Sequence, residues 1–520
     1  VFKGVRRNRM NRNKQITINL VASILAFIIN IGISFFLTPY ITENIGVEAY
    51  GFVSLGTEFV NYSSLVTIAL NSMAGRFITI EIHKGNWEGA NKYFNSVLLS
   101  NCIVAGVILF PSILVVAFLD RIIDIPVEII LDVKILFALL FTNYIISIIV
   151  SSFGVSTFAT NKLYLKSMRE IEARILKALL LIFLFILFEP AVSYLGFATV
   201  AMIVYISFFN IYYTKKYLPE IKLRKKYFRV NAVFELISSG IWNTVIQAGQ
   251  ILLQGLDLFI ANIFIGSTSM GTLALAKTIP MMVLSLVSVI SSVFIPDFLI
   301  LYTKNNKEEL LNSIKQSMKV LGIIINIPIA IIFVFGKEFF TLWVPNQNAI
   351  ELQILSIITI SSLIVSGPIN SIYSVFTVTN RLKTNAIVVL STGILNITIV
   401  FLLLKTTSLG LYAIAGVSTI LAFISNLFFA APFGAKYLGE KWNEFFPVVA
   451  KSIVSFLILV ITGWGVKYLI IVNSWFSLFT VACLTGVIGF FVNFMVILNR
   501  KERKHIYALI NNKVKKRQQF

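Results

Sequence analysis

The chain carries one pattern twice. Ile45-Gly46 with Gly51 and Leu55 recurs about 220 residues later as Ile265-Gly266 with Gly271 and Leu275, and Thr160-Asn161-Lys162-Leu163 recurs as Thr379-Asn380-Arg381-Leu382. Each copy is set between continuous apolar runs of about 20 residues, the length a helix needs to cross the hydrocarbon core of a bilayer. A duplicated hydrophobic bundle is the usual plan of a secondary transporter, with cargo held where the halves meet. A soluble fold is excluded, because 57% of the 520 residues are hydrophobic and only 13% are charged, too few charges for a polar surface. Continuous rather than alternating runs also exclude an outer-membrane barrel. The expected fold is an all-α polytopic membrane protein.

About 14 transmembrane helices fit the apolar pattern, the first centred near residue 27 and the last near residue 487. An even number places both termini on one side, and the great majority of the Lys and Arg residues fall on that side, which makes it cytoplasmic. Loops starting near Arg76, Lys162, Lys215, Lys304, Arg381 and Lys436 are basic, whereas the facing loop sets Asp120, Asp124, Glu128 and Asp132 against Arg121. The net charge of +21 is therefore topological and points to the anionic inner leaflet rather than to nucleic acid. The organisation expected is an N-terminal lobe at 1-213, a basic cytoplasmic linker at 214-230, a C-terminal lobe at 231-433, an extra helix pair at 434-498 and a basic cytoplasmic tail at 499-520. Each lobe holds six helices, so the copies share one orientation about an axis along the membrane normal. The extra pair could bind a lipid tail or shield a lobe. Localisation in a bacterial inner or plasma membrane follows.

No metal site is expected. Cys102 and Cys483 read as small apolar residues buried in separate spans, and His83 and His505 lie in polar segments. Val1 to Lys14 is basic, but the run behind it is a full span without a cleavage site, so no signal peptide is expected, and Met10 is an alternative start.

The run ending Thr38-Pro39-Tyr40, followed by Ile45-Gly46-Val47-Glu48-Ala49-Tyr50-Gly51-Phe52 and then Met73-Ala74-Gly75-Arg76-Phe77, resembles the bacterial Wzx-type oligosaccharide flippases. These belong to the multidrug/oligosaccharidyl-lipid/polysaccharide exporter superfamily, with two six-helix lobes and often two extra helices. The resemblance implies movement of a polyprenyl-pyrophosphate-linked sugar repeat unit from the cytoplasmic to the outer leaflet by alternating access, for cell-surface polysaccharides such as O-antigen or capsule. It also implies a polysaccharide polymerase and glycosyltransferases as partners. Such a cargo needs polar cavity walls, a cation for the pyrophosphate and a lateral opening for the tail.

The seventh span supplies a polar stripe. Asn243, Gln247, Gln250, Gln254 and Asp257 fall within an arc of roughly 80° of an ideal helix and extend about 20 Å along it. A face of this kind cannot meet lipid, and it either lines a cavity or bonds to neighbouring helices. The first span has a thinner version in Asn19, Ser23, Asn30 and Ser34, of which Asn30 and Ser34 are assigned with the glutamines to the substrate cavity. Charges deep in apolar spans cost about 2.5 to 3.5 kcal/mol each on insertion scales and mark function. Glu58, Asp257 and Lys277 are such charges: Lys277 as the anion contact or as one half of an ion pair, Glu58 and Asp257 as gating groups or carriers of a coupling proton or sodium ion. Arg76, with Arg174 and Lys177 near the start of the fifth span, could receive pyrophosphate at the cytoplasmic mouth or snorkel as ordinary inner-face cations.

An enzyme is not expected, since no loop exceeds about 25 residues and none carries a Walker motif, a DxD or a nucleophile arrangement. With no nucleotide cofactor, energy would come from an H+ or Na+ gradient or from consumption of the cargo. The competing functions are a cation-coupled multidrug exporter of the same fold and a peptidoglycan-precursor flippase.

Overall fold

A computed structural model of the chain describes residues 12–379, 381–500 and 502–504. The basic segment before Arg12, Asn380 of the second Thr-Asn-Arg-Leu copy, His505 and the basic tail beyond it lie outside the described residues. Every regular element described is helical. By compactness the chain forms two units, Val1–Thr272 and Leu273–Phe520.

The first unit contains α1 (Arg12–His83), α2 (Trp87–Ala117), α3 (Leu119–Ile122), α4 (Ile130–Val150), α5 (Val155–Ala159), α6 (Leu163–Leu187), α7 (Ser193–Tyr217), α8 (Val230–Gln250) and α9 (Asp257–Phe264). α10 (Ser267–Thr303) begins in this unit and ends in the second. The second unit continues with α11 (Lys307–Trp343), α12 (Ala349–Ser361), α13 (Leu363–Val378), α14 (Leu382–Thr406), α15 (Leu411–Ser425), α16 (Ala431–Leu438), α17 (Phe446–Leu469) and α18 (Trp475–Ile497). α8 and α9, which open the second copy of the repeat, thus cluster with the first copy.

Among the described residues 11 helices are long and apolar enough to cross a membrane, or 12 if the bent pair α8–α9 is counted as one. Two features separate that number from the sequence count. Two of the expected spans are merged in the 72-residue α1, which breaks its helical dihedrals at Gly46, so the helix does not stop at Tyr40. α6 is 25 residues long but carries Lys166, Arg169, Glu170, Glu172, Arg174 and Lys177, too many charges for a continuous apolar span. Large apolar side chains face outward throughout, among them Phe36, Phe110, Ile186, Phe208 and Phe428, as helices solvated by lipid require. Cys102 and Cys483 are on that outer surface, both free and exposed. The expectation that they are buried is corrected: lipid accepts a thiol as readily as a protein core does.

The acidic loop before α4 is used to cap helices. Asp124 Oδ2 accepts from the Ser267 N–H at 3.4 Å, at the start of α10, while its backbone exchanges bonds of 2.7 and 2.9 Å with the Asn262 amide. Asp132, in the first turn of α4 itself, accepts from Val192 N–H and, at 3.0 Å, from Ser193 N–H at the start of α7. Carboxylates at helix N-termini satisfy orphan N–H groups and meet the positive end of the helix dipole. Asp120, outside the spans, is held below the usual carboxylate range by Lys134, 2.5 Å away.

In the second unit α11 is the buried pillar, and the extra pair α17–α18 is fastened to it by polar side chains. Lys467 pairs with Glu338 at 2.7 Å and donates to the Val334 carbonyl at 2.7 Å. Asn326 of α11 donates to Ser452 O at 2.9 Å, and Asn493 of α18 donates to Ile323 O at 2.8 Å. In hydrocarbon such bonds hold helices where the hydrophobic effect cannot.

Candidate functional site

The repeated glycines do the same backbone work in both copies. Gly46 has φ +85° and Gly266 φ +128°, a region closed to most L-residues and open to glycine. Five residues on, the copies meet. A Cβ on Gly51 would stand 2.8 Å from the Gly271 Cα, and a Cβ on Gly271 would stand 2.4 Å from the Val47 carbonyl oxygen. The Thr268 hydroxyl donates to Glu48, and these two residues are also equivalent positions of the repeat. Equivalent residues touch only beside the axis that relates them, so residues 47–51 and 267–271 meet across a local two-fold.

The polar face of α1 is turned toward α6. Asn19 Nδ2 donates to the Asn161 carbonyl and side-chain oxygens at 3.0 and 2.9 Å, and Asn19 Oδ1 accepts from Tyr164 N–H at 3.0 Å. Asn161 itself has φ +55°, a left-handed turn that asparagine tolerates better than other side chains, which gives the first Thr-Asn-Lys-Leu copy its structural meaning. Ser23 and Ser167 share a hydroxyl pair at 3.3 Å. Arg174 donates to Asn30 Oδ1. Asn30 and Ser34 are half-buried.

Arg174 and Lys177 are not near the start of their helix. They stand eleven and fourteen residues past Leu163 in the 25-residue α6, which puts Arg174 at its midpoint, about 16 Å along the axis. One turn apart, the two cations sit within each other's field. Arg76 is apart from them, exposed in the last turns of α1.

On α8 the straight-helix premise fails past Gln250. Ile251–Gly255 is a π-helical turn, with Leu256 N–H bonded to Ile251 O five residues back at 3.0 Å, and α9 leaves it at 41°. A π turn holds one residue more than an α turn, which rotates everything beyond it. Asn243, Gln247 and Gln250 therefore share a face, whereas Gln254 lies inside the break and Asp257 opens α9. Asn243 Nδ2 donates to Ser72 Oγ at 3.2 Å, Gln247 is half-buried and Gln250 exposed. Asp257 is 3% exposed and sits where a helix N-terminus favours a carboxylate.

The break gathers an acidic group that the spacing did not reveal. Tyr62 donates to the Gly255 carbonyl at 2.7 Å, and Asn61 donates to Glu58 Oε2 at 3.2 Å. A Cβ on Gly255 would lie 3.4 Å from Glu58 Oε2, and the Tyr62 phenol lies in the field of both Glu58 and Asp257. Tyr62, one turn from Glu58 on α1, and Gly255, two residues before Asp257, were the available signals. Lys277 lies in α10 within the second unit and is buried, 8% exposed. Among the described residues no cluster of His, Cys, Asp and Glu could hold a metal ion.

The structure is similar to the inward-facing conformation of a multidrug resistance MATE family transporter of the MOP superfamily, with a TM-score of 0.63 and 15% identity over 81% of this chain and 98% of that one. It is also similar to the lipid II flippase MurJ in an inward closed conformation, with a TM-score of 0.59 and 14% identity over 92% of this chain and 98% of that one. At such identities the likeness is one of fold, that of multi-pass membrane transporters. A family model for polysaccharide biosynthesis proteins matches residues 16–301, and the chain belongs to that family. Among its relatives is the uncharacterized membrane protein EpsK of Bacillus subtilis (strain 168), 28% identical over 493 residues that cover 94% of this chain and 96% of EpsK.

Proposed function

We propose that the protein flips polyprenyl-pyrophosphate-linked oligosaccharide repeat units from the cytoplasmic to the outer leaflet of a bacterial plasma membrane by alternating access, with both termini cytoplasmic. The observation that carries this reading is the pair Arg174 and Lys177 at the midpoint of α6, with the Arg174 guanidinium held on Asn30. Two cations one helical turn apart suit a pyrophosphate, which is doubly anionic or more and takes charge-assisted hydrogen bonds from a guanidinium fork. A bound anion would also offset the repulsion between two like charges one turn apart. Gln247, Gln250 and Ser34 are proposed to offer amides and a hydroxyl to sugars, and the buried Lys277 is proposed as a further anion contact.

Membership of a polysaccharide biosynthesis family supports a glycolipid cargo, and the flippase among the fold neighbours supports leaflet-to-leaflet movement. Glu58 and Asp257, gathered at the α8–α9 break, are the groups proposed to carry a coupling proton or sodium ion. That acidic group also favours a second reading, export of organic cations.

Reconstitution in proteoliposomes separates the readings. A polyprenyl-pyrophosphate oligosaccharide, a lipid-linked peptidoglycan precursor and a cationic dye are offered in parallel under an imposed proton or sodium gradient. Movement of the oligosaccharide, lost in Lys277→Ala and Arg174→Ala at unchanged monodispersity, is the expected result. Movement of the dye alone moves the assignment to the cation exporter, and movement of the peptidoglycan precursor alone moves it to that cargo.

A further inference from the structure

The connection between α7 and α8 is a fixed strap. Side chains of α2 take up its backbone in register: Asn91 donates to Glu220 O at 3.0 Å and accepts from Lys222 N–H at 2.7 Å, and Asn95 donates to Lys222 O and accepts from Arg224 N–H, both at 3.0 Å. Ser96 Oγ accepts from Arg229 N–H at 2.9 Å and donates to Arg229 O at 3.3 Å. Each asparagine amide bonds as a peptide group would in a strand pair. The spacing allows it, because four residues of helix advance about 6 Å and two residues of extended chain about 6.6 Å. Ile221 is turned inward, packed against a core that includes Ile78 and Phe94.

What the strap turns outward is charge. Lys222, Arg224, Lys225, Lys226 and Arg229 are all exposed, Leu223 stands among them at 57% exposure, and Glu220 is the one acid between Thr214 and Arg229. The strap joins the ends of two helices apolar enough to span a membrane, and it lies along the first turns of a third. It is therefore confined to the level where those helices leave the bilayer.

We propose that residues 220–229 are a pre-ordered docking surface for the anionic phospholipid headgroups of the leaflet they adjoin. Cations at that depth are drawn to anionic lipid. A backbone already fixed by Asn91, Asn95 and Ser96 loses no further freedom when headgroups bind. The exposed Leu223 favours lipid over an acidic protein, since an apolar side chain between cations suits the headgroup–acyl boundary.

The test is native mass spectrometry of the full-length protein equilibrated with equal phosphatidylglycerol and phosphatidylcholine. Wild type is expected to retain phosphatidylglycerol at least threefold over phosphatidylcholine. K222Q/R224Q/K225Q/K226Q should abolish the preference, N95A, with every charge intact, should weaken it, and K304Q/K307Q in another exposed basic loop should leave it unchanged. An unchanged preference in the quadruple variant, or equal losses in the two charge variants, overturns the proposal. Should the quadruple variant not fold, salt titration of wild type decides: a phosphatidylglycerol-specific rise in Tm that vanishes at about 1 M salt is expected of exposed charges, and one that persists overturns it.

Discussion

The polar faces of α1 and α8 occupy matching positions of the repeat and do different work. Ser23, Asn30 and Ser34 correspond to Asn243, Gln250 and Gln254. On α1 the face is largely absorbed by its own neighbour: the Asn19, Ser23 and Asn30 side chains bond to Asn161, Ser167 and Arg174 across one helix interface. On α8 the face starts at Ser72, through Asn243, and runs into a π-helical break, leaving Gln250 exposed. A row of amides in an apolar helix establishes that the row avoids lipid. Whether it meets another helix or an open cavity depends on the partner, and duplication does not preserve partners. Here the first copy holds a cation through Asn30, and the second leaves Gln250 exposed.

The largest expected effect tests that division. If α1 holds Arg174 for a cargo anion, Arg174→Ala lowers oligosaccharide translocation on the order of a hundredfold, about 3 kcal/mol, the size typical of truncating one partner of a buried charge pair. Size-exclusion profiles should be unchanged. Stability loss with full transport would return the α1 face to packing alone. Lys177→Ala should act in the same direction.

Next in size is the place where the copies meet. Gly271→Ala puts a methyl group 2.4 Å from the Val47 carbonyl oxygen, backbone that cannot swing aside, and should destabilise by about 1 to 3 kcal/mol as overpacked contacts do. Thermal unfolding in detergent measures it. Gly32→Ala is the control in α1, since nothing lies within 4 Å of a Cβ there, and helix propensity alone makes it neutral or stabilising by up to about 1 kcal/mol. Equal losses in the two variants would sink the claim that Gly51 and Gly271 are equivalent residues pressed together.

A smaller loss separates the capping function of the α1 face from its cation-holding function. Asn19→Ala removes three hydrogen bonds around the left-handed Asn161 turn and should lower stability by about 1 to 2 kcal/mol, at the usual net worth of such bonds. Transport per folded molecule should not change. A fall in turnover at wild-type Tm would mean that Asn19 touches cargo.

The residues from which the sequence argued best were those whose chemistry is local. Apolar runs give spans because a helix must satisfy its own backbone in lipid, and Gly46 and Gly266 repeat because the backbone there is left-handed. The sequence was misleading where the geometry is collective. A helical wheel assumes 100° per residue, and nothing in Ile251-Leu252-Leu253-Gln254-Gly255 announces the extra residue in the turn, so Gln254 and Asp257 were aligned with a face they do not share. Arg174 was placed by its loop rather than by its helix, because the charges of α6 make the first half of that helix look like loop. Tyr62 is invisible as a site residue until Gly255 is folded against it, 193 positions away.

The smallest expected effect closes the comparison on one pair of equivalent residues. Gln250 is exposed on α8, and Gln250→Ala should move stability by less than about 0.5 kcal/mol, as substitutions of exposed residues away from special features do. Asn30, its counterpart on α1, carries the Arg174 guanidinium, so Asn30→Ala takes an acceptor from a cation at mid-helix and should cost about 1.5 to 3 kcal/mol, the worth of a hydrogen bond to a charged group. Thermal unfolding of the two variants side by side measures the gap, and equal shifts would mean that the α1 and α8 faces are both packing or both open. Turnover adds the second axis. Gln250→Ala should raise the KM for the oligosaccharide severalfold without lowering kcat if its amide binds sugar equally in the ground and transition states. No change in KM with unchanged stability would remove Gln250 from the sugar-binding face and leave the cation at Arg174 as the element of this site that recognises cargo.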